Sequence, residues 1–542
     1  MKTFLATEFN DTLDEKTKTL LLKLDVKDKE IESMEIEIQK LKNENDVLKG
    51  QILNKNRKMF GQSSEQMAYG QLSIFDEAEK FSDTKEAEPT TEEITYTRIK
   101  KATVGKKDRL ANLEKVVIDH KLEVEDLACD CCQTERKEIG FTSKEVLKYQ
   151  PAKLYIEEHR TYSYACTSCE EVDNKANIIT TKAPETLLHK SMASNELLAH
   201  TIILKYQHAL PLYRQEQYFS MMGATLSRQT LSNWVVGAAK ELGVVHELMT
   251  RELLKRTYIQ ADETTVQVLD EKGMDAKGKK YMWLYKTGTR EAPIIIYDYQ
   301  KTRSGSCPKK FLDGFEGVLQ TDGYSGYNQV DKINRLYCLA HIRRKFHEIV
   351  ITLDKEMLKT SRAVIGFNYC EQLYAIEQEI RELYQSDEDY FQKRKEIRIQ
   401  RTAPVLKAFK VYLEQDIPDA LPQSPLGKAL LYTQKLLSSF DLILEDGRLE
   451  IDNNGAERAI KPFVIGRKNW LFSNTKKGAA ASALLYSIIE TAKANGLIVE
   501  KYLIYLMDVV CKRNGLEAQD ELLNHMPWSK QLPEYLKVQK TN

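Results

Sequence analysis

The sequence has few cysteines, no long apolar run and no excess of either charge. Its 542 residues include only nine Cys, and 80 Lys and Arg are balanced by 80 Asp and Glu. Nine cysteines are too few for a disulfide scaffold, so a cluster of them would indicate metal binding instead. No apolar stretch approaches the roughly 18 residues of a membrane span, and the acidic start is unlike a secretory signal. We therefore expect a cytoplasmic protein with no membrane partner.

The first 60 residues carry a heptad repeat. One seam position is occupied by Leu24, Ile31, Ile38, Asn45 and Ile52, and Leu or Met fills most of the other seam. β-branched residues at one seam position with Leu at the other favour a parallel two-stranded coiled coil, in which a lone Asn can fix the register. The pattern predicts a dimerising helix over residues 1–60. A single amphipathic helix lying on its own protein is the alternative.

Residues 61–110 lose this periodicity and separate by charge. Acidic residues crowd positions 76–93, and basic residues crowd positions 98–109. Such segments remain solvated because they cannot bury enough apolar surface. We interpret the region as a linker whose basic end could contact phosphate.

Five of the nine cysteines lie within residues 129–169. Two Cys-x-x-Cys knuckles can bring four thiolates together in the tetrahedral geometry that Zn²⁺ prefers. We expect a structural zinc module over residues 111–185, with alternating segments such as 153–157 forming a small sheet between the knuckles. Cys131 could replace Cys132 as a ligand, and reduced thiols in a β-subdomain are the alternative. The expected ligands are Cys129, Cys132, Cys166 and Cys169.

Residues 186–250 have the spacing of a helix-turn-helix. One helix is predicted from Leu210 to Met222, and a second helix begins after Ser227, which suits an N-cap. The polar face of the second helix carries side chains capable of reading base edges. Plain helical packing is the alternative. The candidate DNA contacts are Arg228, Gln229 and Asn233.

From Tyr258 onward the pattern changes to strands. Strands are predicted near residues 258–269, 281–286, 293–299, 317–321 and 333–339, with short helices before and after the fourth. The predicted order is three strands, a helix, a strand, a helix and a fifth strand. This is the order of the ribonuclease-H-like fold, in which the first and fourth strands are neighbours. That arrangement would bring Asp262 and Asp322 within a few ångströms of each other. Glu263 should point to the opposite face of the sheet.

Two adjacent carboxylates repel each other, and bound Mg²⁺ offsets this repulsion. Two such ions can activate an attacking oxygen and stabilise a leaving oxygen in phosphoryl transfer. Glu457 is the candidate third ligand, on the first turns of a helix capped by Asp452 or Asn453. The catalytic core would comprise residues 251–350 and 446–510, separated by an α-helical insertion at 351–445 and followed by a tail at 511–542.

Basic side chains interleaved with aromatic ones follow these carboxylates. Such stretches suit DNA, because phosphate attracts positive charge and bases stack on rings. For the basic residues that follow the fifth strand, at positions 343–345, a solvated helix face is the alternative to DNA contact. The acidic segments elsewhere explain how a neutral total can include basic surfaces. The candidate contacts are Arg343, Arg344, Lys345, Arg458, Lys461, Arg467, Lys468 and Trp470.

Five segments are specific in combination. They are Ala261-Asp-Glu-Thr264, Leu319-Gln-Thr-Asp-Gly-Tyr-Ser-Gly-Tyr327, Cys338-Leu-Ala-His-Ile-Arg-Arg-Lys-Phe346, Asp452-Asn-Asn-Gly-Ala-Glu457 and Gly466-Arg-Lys-Asn-Trp-Leu-Phe472. Together they resemble the transposases of the insertion-sequence-66 family (TnpC type). The resemblance covers essentially the whole chain and implies a multidomain α/β DDE-type transposase. It implies that Asp262, Asp322 and Glu457 form the metal-binding triad, with Mg²⁺ or Mn²⁺ as cofactor.

By the same resemblance, the activity would be strand cleavage at the ends of an insertion sequence and transfer of the freed 3′-hydroxyls into target DNA. The partners would be the terminal inverted repeats, the target DNA, a second copy of the chain and small accessory proteins, all in the bacterial cytoplasm. Two alternatives stay open: a nuclease or resolvase of the same fold that performs no strand transfer, and a DNA-binding regulator without catalysis.

Overall fold

The computed structural model describes residues 152–165, 178–270, 278–354, 356–512 and 521–539, together with Lys27 and Val117. The predicted linker and the four predicted zinc ligands lie outside these residues, as does the predicted coiled coil apart from Lys27. Within the described ranges, no helix combines the length and the apolar character that crossing a membrane requires.

A short antiparallel pair opens the described part of the chain. β1 (Ser163–Ala165) pairs with β2 (Ile178–Thr180). Residues 153–157, whose alternation predicts a strand, have no regular structure. Their Tyr155 and Ile156 side chains are 72% and 95% exposed. The prediction was wrong here because only Leu154 of the alternating apolar face packs against the core, whereas Ile156 on the same face is exposed.

Four helices follow, in the region where the sequence predicts a helical pair. Ser227 accepts a hydrogen bond from the Thr230 amide at 3.1 Å, which confirms it as the N-cap of the third helix. Leu231 and Trp234 of that helix are buried in the main hydrophobic core. The helices are α1 (Asn195–Tyr206), α2 (Leu212–Met221), α3 (Arg228–Glu241) and α4 (Gly243–Leu254).

A five-stranded mixed sheet forms the centre. Its strands are β3 (Tyr258–Val266), β5 (Lys280–Thr287), β6 (Ile295–Gln300), β7 (Gly317–Thr321) and β8 (Ile333–Tyr337), and β4 (Val268–Asp270) lies outside it. The strand order is β6-β5-β3-β7-β8. β6, β5 and β3 are antiparallel, whereas β3, β7 and β8 are parallel. Helix α5 (Ser306–Phe311) precedes β7 and a 3₁₀ turn (Ser325–Gln329) follows it, so the predicted element order is confirmed.

The segment between β8 and the Glu457 helix is helical, as predicted. Its helices form a second hydrophobic core against β8. They are α6 (Leu339–Val350), α7 (Met357–Thr360), α8 (Arg362–Tyr384), α9 (Tyr390–Ile397), a π turn (Arg398–Thr402), α10 (Ala403–Asp416), α11 (Pro425–Leu437), a 3₁₀ turn (Ser438–Asp441) and α12 (Leu442–Glu445).

A buried ion cluster joins this helical segment to the chain that leads back to the sheet. Glu377 accepts hydrogen bonds from Arg394 and Arg398, each at 2.6 Å, and Arg394 also bonds Glu450 at 2.8 Å. The Arg398 guanidinium reaches the Leu449 carbonyl at 2.9 Å. Burial alone would raise the pKa of Glu377, but the two guanidiniums outweigh it and lower the pKa below its ordinary value. The cluster therefore holds residues 449–450 in place.

The last helices return to the sheet. α13 (Asn454–Trp470) packs on β3 and β5, and α14 (Lys476–Ala494) packs on β6. Between them, β9 (Ser473–Thr475) pairs with β4 in parallel. α15 (Val499–Cys511) packs against α1. Helices cover both faces of the sheet, which explains why β5 is an almost continuous apolar run from Met282 to Tyr285.

Candidate active site

Asp262 and Asp322 occupy corresponding positions of two parallel, neighbouring chain segments. β3 pairs with β7 so that Gln260 lies opposite Gln320, and each Asp is two residues further along its chain. Alternate residues share a face of a sheet, and neighbouring strands lie about 4.8 Å apart. The register therefore directs both carboxylates to the same edge and the same face, as the predicted strand order requires.

Glu457 lies in the first turn of α13. The N-cap residue is Asn453, but its side chain donates to the Ala261 carbonyl at 2.8 Å, next to Asp262. The neighbouring Asp452 accepts instead from the Asn454 amide at 3.1 Å. Asp452 thus bonds the start of the helix, and Asn453 holds it against β3.

Two buried glutamines, which our sequence analysis missed, also tie this segment to the sheet. Gln260 donates to Gln320 at 2.8 Å and to the Asp452 carbonyl at 3.3 Å. Gln320 donates to the Glu450 carbonyl at 2.7 Å. A signal was available, because Gln-x-Asp occurs at both 260–262 and 320–322, and residues two apart on a strand share a face.

The three carboxylates affect one another electrostatically. Burial raises the pKa of Asp262 well above its ordinary value, and the charges of Glu263, Glu457 and Asp322 raise it further. Such crowding is costly unless a cation offsets it. The Asp322 carboxylate accepts one backbone bond, from the Tyr324 amide at 2.9 Å, which leaves most of its lone pairs available.

Glu457 supplies a second sign that the site is built to hold a cation. Its Oε1 atom is buried and has no hydrogen-bond partner among the described residues; the same is true of His341 Nδ1, which lies 3.9 Å away. An unsatisfied carboxylate oxygen beside two further carboxylates is the oxygen-rich donor set that Mg²⁺ and Mn²⁺ prefer. The residues present therefore fit a divalent ion.

Glu263 lies on the opposite face of the sheet, as strand alternation predicts. Arg303 donates to its carboxylate at 2.8 Å and the Tyr327 hydroxyl donates at 2.6 Å. Tyr327 in turn packs edge-on against Trp283, the residue paired with Glu263 across the sheet. This carboxylate is satisfied by the protein itself.

Cys338 and His341 also approach Glu457. The possible ligand atoms of these three residues lie within 4.8 Å of one another. Burial raises the pKa of Cys338 to about 12, and its soft sulfur does not suit Mg²⁺ or Mn²⁺, which prefer oxygen ligands. Its sulfur lies 3.1 Å from the Asn453 amide. We interpret Cys338 as an anchor for the start of α13.

The candidate DNA contacts of α3 lie on its solvent face. Arg228, Gln229 and Asn233 are all exposed, and Gln229 donates to Asn233 at 2.9 Å. The buried residues of the helix point the other way, into the core. The helix therefore presents a polar surface, as its sequence predicts.

The basic set on α6 divides into two parts. Arg344 and Lys345 are exposed. Arg343 is bonded to Glu371 and lies 4.9 Å from the Phe367 ring, so its guanidinium is engaged within the helical segment.

The set on α13 also divides. Arg458 and Lys468 are exposed and Lys461 is half-buried. Arg467 is bonded to the Thr265 carbonyl of β3. Trp470 packs edge-on against Phe463 at 5.5 Å. Arg467 therefore holds α13 against the sheet, whereas Trp470 packs within α13 and against the main hydrophobic core.

Comparisons with known families match three regions of the chain. A model described as "Transposase IS66 family" matches residues 190–481, which include all three carboxylates. A model described as "zinc-finger binding domain of transposase IS66" matches residues 126–170, which include the four predicted zinc ligands. A leucine-zipper model described as "Transposase C of IS166 homeodomain" matches residues 47–118, which overlap the end of the predicted coiled coil.

Similar proteins occur in Sinorhizobium fredii. The "Uncharacterized protein y4jD" is 31% identical over 422 residues, which cover 75% of this chain and 79% of that protein. The "Uncharacterized protein y4qI" is 28% identical over 445 residues, which cover 79% of this chain and 78% of that protein. No solved structure matches the chain.

Proposed function

This chain belongs to the IS66 transposase family and is therefore a DDE-type DNA transposase. We propose that Asp262, Asp322 and Glu457 are its catalytic triad. The observation that carries the proposal is the β3–β7 register, which pairs Gln260 with Gln320, each two residues before one of the aspartates. The bond from Asn453 to Ala261 supports it further, because it fixes the start of the Glu457 helix beside Asp262.

The order and directions of the strands support a ribonuclease-H-like core interrupted by an α-helical insertion. In this proposal the core comprises residues 251–350 and 446–510, and the insertion comprises residues 351–445. The insertion fixes the second part of the core through the Glu377 ion cluster, because Arg394 and Arg398 bond residues 449–450, just before α13.

The family implies a divalent metal at the catalytic site and zinc in the finger region. We assign two Mg²⁺ or Mn²⁺ ions to Asp262, Asp322 and Glu457, and one Zn²⁺ to Cys129, Cys132, Cys166 and Cys169. When bound, the catalytic ions supply Lewis-acid stabilisation of the attacking and leaving oxygens. The chain supplies the positioning. Asn453, Gln260 and Gln320 bond backbone carbonyls next to the site and so fix the segments that carry the three carboxylates relative to one another.

The substrate assigned here is the terminal inverted repeats of an insertion sequence, followed by target DNA. Arg344, Lys345 and Arg458 are exposed cations close in sequence to the site and suit phosphate contacts. α3 suits base contacts through Arg228, Gln229 and Asn233. Two or more copies would join through the N-terminal coiled coil, and small accessory proteins would assist, in the bacterial cytoplasm.

The test is a cleavage and joining assay with DNA ends taken from both sides of the gene and a target plasmid. Asp262→Asn, Asp322→Asn and Glu457→Gln should each abolish cleavage while DNA binding survives. Asp298→Asn is the matched control: burial raises the pKa of this β6 carboxyl to about 6, but it lies outside the triad, so cleavage should persist. Cleavage by all three triad variants would refute the assignment. Nicks without joined products would favour a nuclease of the same fold.

A further inference from the structure

A polar cavity of about 280 Å³ lies where the helical segment meets the start of α13. The catalytic side contributes Gln260 of β3 and Arg458 of α13. The helical segment contributes Arg381 and Tyr390, and the β5–β6 connection contributes Arg290. Three arginines therefore line one small space. Of these, only Arg458 was singled out by the sequence.

The three guanidiniums are in different situations. Arg290 is fixed, because it bonds the Gln385 carbonyl and stacks 4.0 Å from the Tyr390 ring. The guanidiniums of Arg381 and Arg458 make no hydrogen bond or ion pair with any residue that the structure describes, and both side chains are exposed. Two cations thus face the cavity with their donors unused.

The acidic residues of the cavity wall cancel this charge only in part. Burial raises the pKa of Asp452 and the charge of Arg458 opposes that rise, so Asp452 offsets some of the charge of Arg458. Glu450 is paired with the buried Arg394 at 2.8 Å. Asp452 accepts from both the backbone and the side-chain nitrogen of Asn454, at 3.1 and 2.7 Å. Just beneath the cavity, burial together with the nearby charge of Arg458 lowers the pKa of Lys286 to about 8. The cavity therefore suits an anion.

The cavity is adjacent to the triad. Gln260 lies two residues before Asp262 on the same strand face, a step of about 7 Å. Arg458 directly follows Glu457 in α13. Successive nucleotides of one DNA strand advance about 3.4 Å along the helix axis, so a strand cleaved at the triad would carry a phosphate of a nearby nucleotide to the cavity.

We propose that this cavity binds a backbone phosphate of the DNA strand beside the cleaved bond, with Arg381 and Arg458 as its main contacts. The inference rests on the proposed function, because the triad defines where the strand is cut. It gives the helical insertion a direct part in holding substrate: Arg381 belongs to the insertion, whereas Arg458 belongs to the catalytic core.

The first experiment measures binding of the full-length protein to a fluorescent duplex that carries one end of the element. The salt concentration is varied from about 50 to 200 mM. Arg381→Ala should weaken binding about tenfold and reduce the slope of log K against log salt by about 0.9, the value for one phosphate. Arg381→Lys should restore the slope and only part of the affinity, because an ammonium cannot bond in a bidentate manner.

Arg401→Ala is the matched control. Arg401 is another exposed arginine of the helical segment, but it is paired with Glu379 at 2.8 Å and does not line the cavity. Its loss should leave the salt slope unchanged. Equal slopes for Arg381→Ala and the wild type, or equal losses for Arg381→Ala and Arg401→Ala, would overturn the proposal.

The second experiment replaces single phosphates near the cleaved bond with uncharged methylphosphonates. One position should weaken binding of the wild type more than binding of Arg381→Ala, in which only Arg458 remains to contact that phosphate, whereas equal effects on both proteins at every position would overturn the proposal. Binding is measured in the Asp262→Asn background, so it does not depend on cleavage. If the triad variants still cleave DNA while one phosphate position depends on Arg381, the triad assignment is wrong and the phosphate contact in the cavity is retained. If the triad variants lose cleavage and no phosphate position depends on Arg381, only the cavity proposal is rejected.

Discussion

The close approach of α13 to β3 can be tested by replacing Gly455 with alanine. A Cβ at this position would lie 2.3 Å from Gln260 Oε1 and 3.3 Å from Lys286 Nζ. Ordinary contacts between heavy atoms begin near 3.5 Å, so the amide oxygen must move by more than about 1 Å. Gln260 can move only by giving up its bonds, which include one to Gln320 at 2.8 Å and one from Lys286 at 3.1 Å.

The free-energy change follows from these contacts. Overpacking of this kind costs about 1–3 kcal/mol, and each lost hydrogen bond costs about 0.5–1.5 kcal/mol. Alanine gains up to about 1 kcal/mol over glycine in a helix, less in the first turn. We expect Gly455→Ala to reduce the free energy of unfolding by about 1–2 kcal/mol. A shift of α13 by about 1 Å should also slow cleavage roughly 10²-fold.

The assay compares the initial rate of strand cleavage with the midpoint of thermal unfolding. Gly478→Ala is the control, since its new Cβ would lie 3.5 Å from Thr475 Oγ1, an ordinary contact. Adding Gln260→Ala to Gly455→Ala should remove the clash, so the double variant should lose less stability than the two single losses combined. Wild-type cleavage and stability in Gly455→Ala, or strictly additive losses in the double variant, would refute the reasoning.

Two further predictions concern zinc and the buried ion cluster. Cys129→Ser and Cys166→Ser should each reduce the zinc content of the purified protein, and unchanged zinc by elemental analysis would contradict the knuckle assignment. Glu377→Ala should cost about 3–5 kcal/mol in thermal unfolding at neutral pH, because it leaves Arg394 and Arg398 buried without their partner. The pKa of Glu377 is lowered from its ordinary 4.5, so its stabilisation is complete above 4.5 and is lost as the pH falls through the lower folded value. A wild type whose stability below pH 4.5 falls no faster than that of Glu377→Ala would count against this account.

The sheet could be predicted because its signals are local. Apolar runs, glycine-rich turns and strand lengths predict each element, and chain order then makes neighbours of the strands that carry Asp262 and Asp322. Glu457 could be placed on a helix because Asp452 and Asn453 are typical of a helix start. Asn453 is the N-cap residue by position, but its side chain makes no capping bond because it is bonded to the Ala261 carbonyl, and Asp452 accepts from the first helical amide instead.

The supports of the site could not be predicted, because they join distant parts of the chain. Gln260 contacts the carbonyl of Asp452, 192 positions away, and no local pattern indicates that pairing. Arg467 and Trp470 have the composition of a DNA contact, but Arg467 is bonded to β3 and Trp470 packs against the main hydrophobic core. The helical insertion showed no chemistry in its sequence. The phosphate contact proposed for Arg381 could not be predicted, because it depends on the fold that places Arg381 and Arg458 in the wall of one cavity.

The distance along the chain between the carboxylates has a consequence for synthesis. Glu457 follows Asp322 by 135 positions (457 minus 322). At roughly 5–20 residues per second, a ribosome needs about 7 to 27 s to cross that interval. The parallel strands and α3 leave the ribosome first, but α3 packs against α14, which is made after α13. A nascent or truncated chain that ends before α13 would therefore carry both aspartates without Glu457 and without the helix that covers α3.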